Sequence, residues 1–206
     1  MIIDPATQSF KDNYKLMIGS ILPRPIAWVS TRSPEGVPNL APFSFFMGVC
    51  SRPPTLAFAP AIRATDGATK DTLNNIRDTK EFGVNIVSED LAEVMVQTSG
   101  EYPPDVDEFA LAGLQPEPGQ VIAAPLVKAS PVRFECRLTR IIPVGDGKPG
   151  SGFVVLGEIV RFHVRDDLIQ EGRIDIQALR PVGRLAGSAG YCRITDTFEI
   201  RRPPKP

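Results

Sequence analysis

The sequence predicts a mainly β fold, a closed or partly closed antiparallel barrel with two or three short peripheral helices. Three observations carry this. Short apolar runs recur along the chain, separated by 21 prolines and 17 glycines that are scattered instead of gathered in one linker. Val132, Phe134, Cys136 and Leu138 alternate with Arg133, Glu135, Arg137 and Thr139, a period of two with one dry and one wet face. Finally, the strands are joined by hairpin turns and not by long helical crossovers.

Taken in order, residues 26–31 (IAWVST) form a β-type run ended by Ser33-Pro34-Glu35-Gly36, a turn with Pro in its second position. Residues 39–49 should be the returning strand, and residues 55–59 another short one after Pro53-Pro54. Residues 70–79 read as a short helix with Asp71 as N-cap and Leu73 and Ile76 facing inward. Residues 82–87 form a strand. Ser88-Glu89-Asp90 caps a second helix, in which Leu91, Val94 and Met95 have helical spacing. Residues 101–120 read as loop. The alternating strand at 132–139 turns at Gly145–Gly150 into residues 152–164, its antiparallel partner. Residues 165–168 open a less regular stretch, 196–201 form a last edge strand, and the tail to Pro206 is frayed or extended.

Composition narrows the function. A hydrophobic fraction of 42% and a charged fraction of 23% belong to a foldable globule, and 206 residues suit one β-rich domain. The net charge of −1 and the lack of a basic block argue against nucleic acid. No apolar run approaches the roughly 18 residues that span a bilayer, and the first residues lack the charge and apolar core of a secretory signal. Cys50, Cys136 and Cys192 form neither a disulfide framework nor a zinc pattern, which fits the cytoplasm.

Few motifs carry chemistry. Gly145-Asp146-Gly147-Lys148-Pro149-Gly150 matches GxGxxG formally. The dinucleotide mechanism needs a helix directly after it, whereas SGFVVLGEIVRF is a strand, so this is a hairpin loop. His163 is the only histidine and cannot build a metal site alone. It reads either as a strand-end surface or interface residue, or as a proton donor or contact to a reductant. Lys70-Asp71-Thr72 with Asn75 is an ordinary helix start on one reading. On the other it is an anion site, because free N–H groups there favour negative charge and Lys70 and Thr72 add a cation and a hydroxyl. Asn39 to Phe46 (NLAPFSFF) combines an aromatic stripe with Pro42, which removes a ladder donor, and with Ser44. Core packing accounts for Phe43 and Phe45, while the freed backbone and the Ser44 hydroxyl suit a ligand edge. Together these features suggest an anionic ligand with a flat aromatic part.

Those pieces, in order, resemble the flavin reductase-like, FMN-binding split-barrel family. They are PRPIAWVST, the Gly36 turn, NLAPFSFF, Arg52-Pro53-Pro54, KDTLNNI and EFGVNIV. GEYPPDVDEFALAGL, the strand with Cys136, VVLGEIV and the late Arg184-Leu185 followed by Tyr191 continue it. The likeness covers about Met17 to Tyr191 within a single domain. It implies a six-stranded Greek-key split barrel that works as a homodimer, with FMN near the dimer interface (FAD is the alternative). Carried over residue by residue, Trp28, Ser30 and Thr31 at a strand end, with Asn39, Ala41, Phe43 and Ser44, would line the flavin. Lys70 and Thr72, helped by Asp71 and Asn75, would hold the phosphate, and Arg184 and Tyr191 would close the site. One departure is visible. The family's late arginine is typically followed at once by Gly-Gly and Tyr, whereas here Arg184 and Tyr191 bracket a longer run.

The resemblance implies an NAD(P)H-dependent flavin reductase in which NADH or NADPH passes hydride to flavin, with no obligatory acid, base or metal. A second reading is an FMN carrier reduced by a protein partner, and a third is a pyridoxal-phosphate-type barrel without flavin. A downstream oxygenase or electron-transfer partner goes with the first two.

Overall fold

The computed structural model describes residues 1–203. Helix α1 (Phe10–Ser20) opens the chain, and its N-cap hydroxyl, on Ser9, accepts from Asp12 N. Phe10, Tyr14, Met17 and Ile18 fall on one stripe, yet only Ile18 is buried. A 3₁₀ turn at Pro5–Thr7 precedes the helix.

Seven strands make the main sheet. They are β1 (Ala27–Arg32), β2 (Pro38–Phe43), β3 (Phe46–Ser51), β4 (Pro54–Phe58), β5 (Glu81–Ile86), β8 (Val132–Val144) and β9 (Gly152–Val164). Their order is β2-β1-β5-β8-β9-β4-β3, with every pairing antiparallel. The two outermost strands, β2 and β3, are consecutive in the chain and meet at Ser44–Phe45, where Phe45 O accepts from Ala59 N at 2.8 Å. The sheet therefore bends back on itself into a barrel split at that corner, with short helices around it, as the sequence predicts.

The corner corrects the single returning strand expected over residues 39–49. In a continuous strand Phe43 and Phe46 would face opposite sides. The bend lets both pack on one core, β2 pairing with β1 and β3 with β4. Helix α2 (Asp71–Thr79) drops Leu73 and Ile76 into that core beside Val29, Phe58, Phe82 and Val84. Phe58 lies 5.1 Å from Phe43 and 5.6 Å from Phe82 between ring centroids. Gly157 is required there, because a Cβ would sit 2.3 Å from the Phe82 ring. A second core on the outer face joins Trp28, Leu40, Val127 and Phe109 with Met95 of α3 (Ala92–Gln97). A 3₁₀ turn, Glu89–Leu91, precedes that helix, and Ser88 makes no side-chain cap there.

Other expectations change in detail. Lys70, not Asp71, is the N-cap of α2, and Asp71 is its first helical residue. The stretch read as loop over 101–120 contains α4 (Glu108–Leu111), capped by Asp107, and β6 (Pro116–Glu117), which pairs with β7 (Leu126–Val127). Gly145 to Gly150 is the hairpin loop expected, with Gly145, Gly147 and Gly150 at φ of +92°, +82° and +101° between two 13-residue strands. Glu135, expected on the wet face, is fully buried under residues 120–122. After a 3₁₀ turn at Asp166–Leu168 come a small ribbon, β10 (Ile169–Gln170) with β11 (Arg173–Ile174), and α5 (Ile176–Leu179). The last pairing is β12 (Val182–Arg184) with β13 (Tyr191–Arg193). No strand forms over 196–201, because β13 takes the final pairing, and residues 204–206 of the expected tail lie outside the described residues.

Candidate functional site

The start of α2, the outer edge of β2 and the 100–102 segment meet in a cleft lined by Asn39, Ala41, Arg63, Lys70, Tyr102 and Glu108, among others. The cleft is small, with a volume of about 20 Å³. Glu101, one of its lining residues, accepts from Thr65 Oγ1 at 2.7 Å.

Beneath the cleft lies a buried polar network built from four residues that the sequence singled out. Thr72 Oγ1 donates to Asn39 Oδ1 at 2.7 Å, Thr31 Oγ1 to the same oxygen at 3.3 Å, and Asn75 Nδ2 to Thr31 Oγ1 at 3.0 Å. The Asn39 amide donates in turn to Glu108 Oε1 at 2.8 Å, and Glu108 Oε2 accepts from Leu40 N at 3.0 Å. Burial pushes the Glu108 carboxyl above the usual carboxylate range, and Asp71 adds to that. The Leu40 N–H and the Asn39 amide work the other way. Glu108 therefore fixes which way the Asn39 amide points, and through it both threonine hydroxyls.

The same contact shows how the edge of β2 is finished. Leu40 N points away from β1, so Pro38 and Pro42, two residues to either side, lie on the same outer edge. The prolines have no N–H, and Glu108 takes the one at Leu40. What that edge still presents is carbonyl oxygen.

Two cations stand over this network. Lys70 N-caps a nine-residue helix and makes no side-chain cap, so the first N–H groups of α2 keep their free donors. Arg63 lies 3.8 Å from Asp71 Oδ2 through Nη1. Its Nε, although 3.3 Å from Asp66 Oδ1, is buried with no hydrogen-bond partner among the described residues. An orphaned buried guanidinium N–H beside a lysine and a helix start fits a phosphate, which brings charge and several acceptor oxygens.

The remaining predicted residues fall in three places. Trp28 and Ser30 are structural: Trp28 Nε1 donates to Thr98 Oγ1 at 2.9 Å, and Asn85 Nδ2 donates to Trp28 O at 2.9 Å and Ser30 Oγ at 3.2 Å. Both side chains are wholly buried, and their backbone lies in a strand paired on both sides, with β2 and with β5. Phe43 faces the core. The register sets Asn39 opposite Thr31 and Phe43 opposite Ala27. That puts the Phe43–Ser44 corner about 13 Å along β2 from Asn39.

Ser44 belongs to a second cluster at that far corner. Its hydroxyl accepts from Arg24 Nε at 3.4 Å, and buried Arg24 also holds Ile18 O and Leu185 O at 2.8 and 2.9 Å. Arg24 and Arg184 exchange backbone bonds at 3.0 and 2.8 Å, which fastens β12 there. The Arg184 guanidinium donates to the carbonyls of Leu185, Gly187, Ser188 and Gly190 and stacks 4.9 Å from the Tyr191 ring centroid. The lengthened run between Arg184 and Tyr191 is thus wound around the arginine. His163 joins neither cluster; its Nε2 lies 2.6 Å from Glu135 Oε1. Burial pushes the Cys136 thiol far up, so it is no nucleophile.

Arg63, Glu108 and Arg24 were not read from the sequence as site residues. Arg63 sits in an irregular segment, and Glu108 follows a capping aspartate in a four-residue helix; neither leaves a periodic signal. Among the described residues, no cluster of three His, Cys, Asp or Glu side chains is placed to hold a metal, and no helix is long and apolar enough to cross a membrane.

Comparison with known proteins agrees with this architecture. The profile of the flavin reductase like domain matches residues 18–178. An uncharacterized protein of Halalkalibacterium halodurans is 42% identical over 205 residues, covering 98% of this chain and 97% of that one. Nitrilotriacetate monooxygenase component B from Bacillus cereus superposes with a TM-score of 0.92 at 40% identity, covering 97% and 98% of the two chains. The 2-nitrobenzoate 2-nitroreductase of Pseudomonas fluorescens superposes with a TM-score of 0.87 at 33% identity, covering 98% and 96%. With its split barrel and a profile match over most of its length, the chain belongs to the flavin reductase-like domain family.

Proposed function

We infer that this protein binds FMN and acts as an NAD(P)H-dependent flavin oxidoreductase. The observation that carries the reading is the orphaned Arg63 Nε beside Lys70 at the uncapped start of α2. Arg63, Lys70 and the first N–H groups of α2 would hold the phosphate. Thr31, Asn39, Thr72 and Asn75 keep that floor rigid, and Asp71 balances Arg63. The β2 carbonyls would take the ring's N–H edge, Ala41 and the Ser44 corner would flank the ring, and Arg184 with Tyr191 would close the far end. Bound FMN would supply the hydride-accepting chemistry; the side chains bind, orient and exclude water.

Membership in the family and the likeness to a monooxygenase component and a nitroreductase support a redox role. They make an oxygenase or another electron acceptor the natural downstream partner. A second copy of the chain would cover Tyr14, Met17 and Ile21 near α1 and Met47 and Val49 on β3, which are 48–59% exposed. Three unpaired cysteines fit a cytoplasmic setting.

The test is spectroscopic. FMN-loaded protein is mixed without oxygen with NADH, then with NADPH, while the flavin absorbance is followed. Bleaching within seconds by either nucleotide is expected. Lasting colour with both would replace this reading with that of a carrier reduced by a protein partner.

A further inference from the structure

We propose that the cavity between the end of β9 and the 128–131 loop is a second anion site, which takes a phosphate group. It encloses about 340 Å³ and is lined by Lys128, Arg133, His163 and Arg165, with Ser130 and Phe162 on its walls. Among the described residues, no acidic side chain lines it. The acids nearby are paired with its cations: Glu117 pairs with Arg133 Nη1, Asp167 lies 2.6 Å from Arg165 Nε, and Glu135 lies 2.6 Å from His163 Nε2, while Asp90 also acts on Arg165 through space. Glu135 is further committed, accepting from the N–H groups of Gln120, Val121 and Ile122 at 2.9, 2.7 and 3.0 Å.

Two donors are left over. Arg133 Nε is buried and has no hydrogen-bond partner among the described residues, a costly state for a guanidinium N–H. Burial also pushes the Arg133 pKa down. Lys128 is exposed and belongs to none of the ion pairs formed among the described residues. Ser130 adds no free donor, since its hydroxyl already serves Ile86 O and Val132 O. Three fixed positive charges around a space without acids suit a dianion with several acceptor oxygens better than a single carboxylate. Phe162, 54% exposed at the rim, offers a ring on which a base would stack. The phosphate would thus come from free phosphate or from a nucleotide. This site lies apart from the Lys70 cleft and does not depend on the flavin reading.

The only histidine of the chain lines the cavity, so its imidazole NMR signals form an unambiguous local reporter. The full-length protein is titrated with inorganic phosphate, and separately with adenosine monophosphate, at ionic strength held constant with chloride. A saturable shift of the His163 signals is expected. In Lys128→Ala/Arg165→Ala, two solvent-facing changes checked by an unaltered thermal melt, binding should weaken about tenfold or more, as loss of charge-assisted bonds requires. Lys70→Ala should leave the shift intact. Tighter binding of the nucleotide, lost in Phe162→Ala, identifies a nucleotide source; equal affinities identify free phosphate. A shift that does not saturate, that survives in the double variant or that disappears in Lys70→Ala overturns the proposal.

Discussion

The phosphate assignment is open to a direct measurement on Arg63→Gln/Lys70→Ala. The Arg63 side chain is 17% exposed and the cleft places Lys70 on the same small volume. Each charge-assisted bond contributes roughly 1.5–3 kcal/mol. Lys70 is partly solvated and sits at the lower end, and the acids lining the cleft, Asp71, Glu101 and Glu108, offset part of the attraction. A net loss of about 3 kcal/mol then corresponds to roughly a hundredfold weaker FMN binding. The cost to folding should be small, since Arg63 gives up only ion pairs at 3.3 and 3.8 Å, one of them to half-exposed Asp66. Pairs of this kind contribute at most about 1 kcal/mol, or a few degrees of melting temperature at this chain length.

Flavin fluorescence, titrated in parallel with FMN and with riboflavin, isolates the phosphate contribution, because riboflavin has the same ring and no phosphate. The native protein should prefer FMN strongly; in the double variant the preference should fall toward equality while riboflavin affinity stays unchanged. If both ligands weaken equally, Arg63 and Lys70 act on the ring or on the fold. If neither weakens, the phosphate lies elsewhere and the α2 assignment fails.

Two further outcomes follow from buried carboxylates. Glu135→Gln puts an amide donor against the N–H groups of Gln120 or of Val121 and Ile122, and should lower stability by about 2–4 kcal/mol. Calorimetry should show the lower melting temperature, and hydrogen exchange should show lost protection confined to those amides; an unchanged melt refutes the clamp. For Glu108 the sign is opposite to that of a salt-bridged acid. Its folded pKa is raised above the unfolded value, so the folded state holds the proton more tightly and stability falls as pH rises from the unfolded value through the folded one. Glu108→Gln should flatten that fall in denaturant midpoints taken upward from about pH 4.5; a slope that persists in the variant assigns it to another group.

What the sequence disclosed, and what it hid, divides by range of interaction. Strands with period two, the Gly145–Gly150 hairpin loop and the start of α2 are local patterns, and they appear where expected within a residue or so. Helix α1 also has a local signal, Ser9 before Phe10, Tyr14, Met17 and Ile18. It is passed over when the first residues are weighed only as a targeting segment. The break at Ser44–Phe45 is different. Nothing in NLAPFSFF alone says that Phe43 and Phe46 must reach one core, because that demand comes from Phe58 and Phe82, contributed by other strands.

The site obeys the same rule, and this changes what its residues do. Asn39, Thr31, Thr72 and Asn75 are legible as polar residues near a helix start, and they do converge. The hydroxyl protons of Thr31 and Thr72, however, are spent on Asn39, whose amide is held in turn by Glu108, 69 positions away. A polar side chain that is both buried and saturated cannot also be the principal ligand donor without breaking its own network, at roughly 1–3 kcal/mol for each group left unpaired. The ligand's charge must therefore fall to groups with capacity in hand, namely Arg63 Nε, Lys70 and the first amides of α2. On this argument Thr72→Ala should weaken FMN chiefly by loosening Asn39. Its effect should then be matched by Asn39→Ala and should not add to it in a double-mutant cycle. Full additivity of the two changes would return Thr72 to the role of a direct phosphate ligand.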